Sequence, residues 1–160
     1  MLAAIDAYSV SVFLHVSAVV VGFGATFALA VAFPLALRLD ARHLPYVHQL
    51  SLMINQRFAS PAALVIVATG IFQVLDADWS FGDFWISGTF AIVIALGAMQ
   101  GAYFVPTDRK LGAQAERELA DTGSVSDEYQ RLAQREGLIG TVAGVLVLAA
   151  VFLMITKPGA

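Results

Sequence analysis

Charged side chains divide this chain into long silent stretches. No Asp, Glu, Lys or Arg occurs in the 31 positions between Asp6 and Arg38, the 18 between Arg57 and Asp76, the 24 between Asp83 and Asp108, or the 20 between Glu136 and Lys157. A helix crosses the hydrocarbon core of a bilayer with about 20 mostly apolar residues. The runs therefore predict four spans, at residues 8–37, 58–75, 84–106 and 137–156. The fold class that follows is all-α: an integral membrane bundle of four transmembrane helices in a single domain over residues 1–160, with cytoplasmic helical extensions and both termini outside.

The polar intervals carry their own periodicity. The first span gives about 45 Å of helix against about 30 Å of hydrocarbon, so it must tilt, protrude or bend. Pro34 marks a bend or an end. Between Arg38 and Arg57, Leu44, Val47, Leu50, Met53 and Ile54 recur at helical spacing. Pro45 suits a first helical turn, and this amphipathic helix can run into the second span, where Pro61 can interrupt it. Asp76 to Asp83 reads as a tight surface turn with an interfacial Trp. Pro106 closes the third span. In Thr107–Glu136, Leu111, Ala115 and Leu119 mark a helical stripe, Asp121-Thr122-Gly123 a stop, and Ser126 a cap for a further helix. These predict a helical hairpin that extends spans three and four into water.

Lys and Arg counts set the orientation. Arg38, Arg42 and Arg57 lie in one connection, Arg109, Lys110, Arg117, Arg131 and Arg135 in another, and only Lys157 lies at the opposite end. The arginine-rich side is expected to be cytoplasmic, which places the protein in the cell (inner or plasma) membrane as a multi-pass protein. Composition agrees: 59% of residues are hydrophobic and 13% charged, against about 25% charged in a soluble domain. Mean hydropathy is +0.78. These values exclude a soluble enzyme, a nucleic-acid binder and a disordered chain. Net charge is −3, and cysteine is absent, which excludes disulfides, thiolate metal sites and iron–sulfur clusters. The N-terminus lacks a basic segment before its long apolar run, so the first helix is expected to be retained.

His15 is the only histidine inside a span. Intramembrane ionisable groups are functional candidates by default, and a neutral imidazole there suits a haem iron or a proton shuttle. Interfacial placement or an interhelical hydrogen bond would explain it equally well. His43 and His48 lie in the connection at a spacing of five, which does not share a helical face, so they are expected to be solvated. A haem would use His15 alone, His15 with Met154, or a partner from another subunit; plain packing is the commoner role for such a methionine. Arg57 could bind a haem propionate or a lipid phosphate, although arginines at span ends commonly snorkel.

The remaining polar groups fall into an outer set (His15, Gln73, Asp76, Trp85, with Lys157 at the edge) and an inner set (Asn55, Gln56, Arg57, Gln100, Tyr103). Gly97 with Gly101, Gly140 with Gly144, and Ala18, Gly22, Thr26 and Ala30 follow the four-residue small-residue spacing. They are read first as close packing inside the bundle and second as a face for a second copy or a membrane partner. No acid–base pair, nucleophile triad or phosphate loop is apparent, and no catalytic residue is singled out.

Phe13-Leu14-His15-Val16, Gly22-Phe23-Gly24, Thr69-Gly70 and Met154-Ile155-Thr156-Lys157-Pro158 resemble the pattern of a family of small bacterial four-span proteins of unknown function. More distantly the layout is similar to HemJ-type protoporphyrinogen oxidases and the CopD copper-resistance membrane domain. The HemJ resemblance implies that His15 ligates haem. The HemJ type also has a lysine near span two, whereas the lysines here are Lys110 and Lys157. The expected function is a membrane redox protein that binds haem b or handles porphyrin through His15, the one metal-ligand candidate. The alternative is a non-catalytic accessory or scaffold subunit of a larger, respiratory-type membrane complex. A small transporter ranks third, because no span holds a carboxylate. Expected partners are the lipid bilayer and a second copy or a complex partner on the small-residue faces; nucleic acid is not one.

Overall fold

A computed structural model describes residues 6–159. The chain is helical almost throughout, and four of its continuous helical stretches are long and apolar enough to span a membrane. The helices are α1 (Ala7–Leu39), α2 (Leu44–Ile54), α3 (Ser60–Asp76), α4 (Phe84–Met99), α5 (Val105–Thr122) and α6 (Asp127–Thr156). A short 3₁₀ turn over Ala41–His43 precedes α2. One π turn, Asn55–Ala59, joins α2 to α3, and another, Gln100–Phe104, joins α4 to α5.

The two π turns explain why Pro61 and Pro106 neither interrupt nor end their helices. A proline ring clashes with the carbonyl four residues earlier and cannot donate to it. For Pro61 that residue is Arg57, and for Pro106 it is Ala102; both lie within π turns. The wider turn bonds Ser60 N–H to Asn55 and Val105 N–H to Gln100, five residues back. The extra residue gives the ring room, and each helix continues. Pro34 is likewise inside α1, which runs on to Leu39. The expected stop at Gly123 is present with φ 75°, and Ser126 caps α6 by accepting from Tyr129 N–H at 3.2 Å.

Helix α1 packs along α3, α2 along α5, and α4 along α6. The tightest core is at the arginine-rich end: Ala36, Leu44, Val47, Leu111, Ala115 and Tyr129 pack together, four of them fully buried. A smaller cluster of Val74, Trp85 and Ile86 lies at the other end, with Trp79, Leu153 and Met154 against it. Along the spans, Phe13, Val31, Leu64, Ile94, Phe152 and Ile155 are between 63% and 75% exposed. Lipid tails are as apolar as leucine, so side chains on a spanning stretch gain little by turning inward, and the tightest core forms at the arginine-rich end.

The small-residue faces divide. A Cβ on Gly22 would stand 2.7 Å from Ala62 Cβ, so glycine lets α1 approach α3 there. Gly144 meets the Phe27 ring at 3.4 Å. Gly97, Gly101 and Gly140 face nothing within 4 Å. Close packing inside the bundle thus accounts for Gly22 and Gly144 and fails for the other three.

Candidate functional site

The polar centre of the protein lies where α2, α5 and α6 meet at the arginine-rich end. His48 is 1% and Asp108 2% exposed. Nδ1–H of His48 donates to Asp108 Oδ1 at 2.7 Å, and the Tyr129 hydroxyl bonds His48 Nε2 at 2.8 Å. Ser51 Oγ–H donates to Asp108 Oδ2 at 2.6 Å. Phe33 meets the imidazole edge-on, with ring centroids 4.8 Å apart. Gly112 faces the same ring, and a Cβ there would lie 3.1 Å from His48 Cβ. Half-buried Glu136 completes the group, its ligand atom and those of His48 and Asp108 all lying within 4.8 Å of one another.

This arrangement overturns the expected solvation of His48. The spacing argument holds for His43, which is exposed, and the two histidines do not share a face. His48, however, lies on the buried side of α2 with Leu44, Val47 and Ser51. An acid–base pair, not apparent in the linear order, is assembled across 60 residues by the packing of α2 on α5. Burial first, then the nearby Glu136 and Asp108 carboxylates, push the Tyr129 phenol above its ordinary range. Glu136 lies just outside the fourth span; burial, and then Asp108, push its carboxyl up to about 8.

A signal for these residues exists in the periodicity. Asp108 precedes Leu111 and Ala115 on one face of α5, at i, i+3 and i+7. Tyr129 and Glu136 are likewise seven apart on α6. Extending the apolar stripe by one turn places Asp108 inside the core, where a carboxylate requires a partner.

At the other end, His15 is part-buried and its Nδ1 lies 2.9 Å from Thr69 Oγ1. Thr69 commits its one hydroxyl proton to the Val65 carbonyl at 2.6 Å. The tautomer that suits this pair has Nδ1 as the donor and the lone pair on Nε2. Gly70 packs against the ring, and a Cβ there would stand 3.6 Å from His15 Cε1, an ordinary contact. Gln73 joins the same group: its amide donates to Ser11 Oγ at 3.3 Å, and Ser11 Oγ–H reaches the Thr69 carbonyl at 3.4 Å. A groove of about 510 Å³ lined by Val10, Ser11, Leu14, Thr69 and Phe72 runs beside it.

The other expected site residues stand apart. Met154 packs on Val74, Trp85 and Ile86 rather than in the His15 group. Trp85 belongs to that interface too, with a buried Nε1–H that has no partner among the described residues. Arg57 is exposed in the first π turn. It lies twelve residues from Thr69, about 18 Å along the helix, so the structure does not bring it to His15. Of the inner set, Asn55 Oδ1 and Gln100 Nε2 are buried and have no hydrogen-bond partner among the described residues. Lys157 caps α6 with φ 44°, and its ammonium sits 4.2 Å from the Trp79 ring and 5.2 Å from Trp85.

No curated protein and no solved structure matches the chain. A match to one family extends over residues 9–158, nearly the whole chain. With four apolar spans and that match, the chain belongs to the family described as predicted integral membrane protein, DUF2269.

Proposed function

We propose that this membrane protein binds a b-type haem through His15 and serves in electron or porphyrin handling. The observation that supports it is the 2.9 Å contact of His15 Nδ1 with Thr69 Oγ1, whose hydroxyl reaches the Val65 carbonyl; in the tautomer that suits this pair, Nδ1–H donates and Nε2 carries the lone pair. An orienting hydrogen bond on one ring nitrogen with a lone pair on the other is what a histidine ligand to a metal requires. The donor set fits one axial position. Met154 is the thioether at the same end of the bundle and would need to leave its packing against Trp85 to serve the second. Arg57 is exposed in the first π turn, away from His15, and has no part in this reading. Thr69 holds the ring, and the groove lined by Leu14, Thr69 and Phe72 offers an apolar surface next to the same group. Haem held there would supply one-electron redox chemistry.

The test is the optical spectrum of detergent-purified protein from cells supplied with haem precursor, air-oxidised and then dithionite-reduced. A Soret band with sharp reduced α and β bands, abolished by His15→Ala and weakened by Thr69→Val, supports the reading. A spectrum without visible absorption overturns it.

A second reading is favoured by the open glycines. A Cβ on Gly97 or Gly101 in the third helical stretch, or on Gly140 in the fourth, would meet nothing within 4 Å among the described residues. Small residues at four-residue spacing on an outward face suit close approach of another transmembrane helix. This reading makes the protein an accessory subunit, docked through that face onto a membrane partner or a second copy. Gly97→Leu and Gly101→Leu should then disrupt a crosslinked complex while leaving the monomer folded. An unchanged crosslinking pattern would exclude it.

A further inference from the structure

We propose that His48, Asp108 and Glu136 form a binding site for one divalent first-row cation of the manganese class at the arginine-rich end. The cluster stands on different residues from His15 and is independent of the haem reading.

The first argument is distance. Ligand bonds of about 2.0–2.2 Å place neighbouring ligand atoms about 3 Å apart and opposite ones about 4 Å apart. The three candidate ligand atoms lie within 4.8 Å of one another. Nδ1 of His48 and Oδ1 of Asp108 lie 2.7 Å apart, so a cation on Nδ1 requires Oδ1 to swing off the Nδ1 axis. The imidazole changes tautomer: the Nδ1 proton is lost to solvent, one is gained at Nε2, and Nε2–H donates to Tyr129 Oη.

The second argument is that the outer partners are already in place. Metal ligands are oriented by hydrogen bonds from a surrounding layer of side chains. Tyr129 holds the far nitrogen of His48, and Ser51 holds the far oxygen of Asp108. Both contacts survive when a cation takes the inner atoms.

The third argument is charge. Two carboxyl groups and a phenol surround one imidazole, and the sole ionic contact of Asp108 among the described residues is that imidazole. No Lys or Arg forms a salt bridge with Asp108 or Glu136 among those residues. A divalent cation supplies the missing positive charge. One imidazole with two carboxylates is a mostly hard set that suits manganese over softer cations.

The experiment uses full-length protein in detergent, stripped with EDTA and dialysed, and titrated with Mn²⁺ while the free-ion EPR signal is followed. The expected result is saturable loss of that signal at one Mn²⁺ per chain. Glu136→Gln, which breaks none of the hydrogen bonds described, should weaken binding at least tenfold. Ser51→Ala should weaken it about tenfold through Asp108. His15→Ala should bind as the parent does, which separates this site from the haem site. Failure of the parent protein to take up Mn²⁺, or uptake by Glu136→Gln with unchanged affinity, overturns the proposal.

Discussion

Replacing Asp108 with alanine is the sharpest test of how the arginine-rich end is held together. Both carboxylate oxygens are engaged, Oδ1 by His48 at 2.7 Å and Oδ2 by Ser51 at 2.6 Å, and the residue is 2% exposed. Hydrogen bonds to a charged group contribute about 1.5–3 kcal/mol each. Truncation also leaves His48 Nδ1–H and the Ser51 hydroxyl buried without an acceptor. Removing one partner of a buried pair costs about 3–5 kcal/mol, and that is the expected loss. Unfolding by SDS in mixed micelles, followed by circular dichroism with EDTA present, isolates the protein's own contacts. Ser51→Ala alone should cost less, and the Ser51→Ala/Asp108→Ala double variant should lose less than the sum, because the two share one bond. Asp121→Ala, exposed beyond the cluster, should stay within about 0.5 kcal/mol of the parent. An Asp108→Ala loss below about 1 kcal/mol would refute the idea that this network organises α2, α5 and α6.

Gly22→Val should destabilise by about 1–3 kcal/mol in the same assay, because its Cβ would stand 2.7 Å from Ala62 Cβ and neither can swing away; Ala62→Gly should recover much of that loss. Hydrogen bonds from Gln114, and from Ser126 N–H and Oγ–H, hold the Glu118 carboxyl below its ordinary range. The stabilisation is therefore complete above the unfolded value near 4.5 and fades as pH falls through the lower folded value. In thermal melts against pH, Glu118→Gln should flatten that acid limb, and a limb identical to the parent's would remove Glu118 from the account. Lys157→Met should alter tryptophan emission by removing the ammonium over Trp79 and Trp85, and an unchanged spectrum would place Lys157 away from the rings.

The four apolar helices, the α5–α6 hairpin and the Ser126 cap are properties of local pattern and could be read directly. Charge-free runs of 18 to 31 residues have few folded options, because a backbone in hydrocarbon must satisfy its hydrogen bonds within a helix. Prolines were harder to read. Whether Pro61 and Pro106 end a helix or pass through it depends on a π turn four residues upstream, and no composition rule specifies that turn. Glycine spacing showed which faces were capable of close approach, yet only the assembled bundle distinguishes Gly22, pressed on Ala62, from Gly97, which faces no neighbour.

The site divides in the same way. His15 stood out by itself, since an imidazole in an apolar run is conspicuous in one dimension. His48, Asp108, Tyr129 and Glu136 were hidden among ordinary charged neighbours in polar connections, where a solvated role is the usual one. Each was chemically unremarkable until α2 was laid against α5 and α6, placing partners 60 and 81 residues apart within 2.8 Å. Membership in a membrane follows from the sum of transfer free energies along the chain, which needs no tertiary contacts. A buried polar network follows from which faces meet, and that is decided only when the packed helices exclude water from the groups between them.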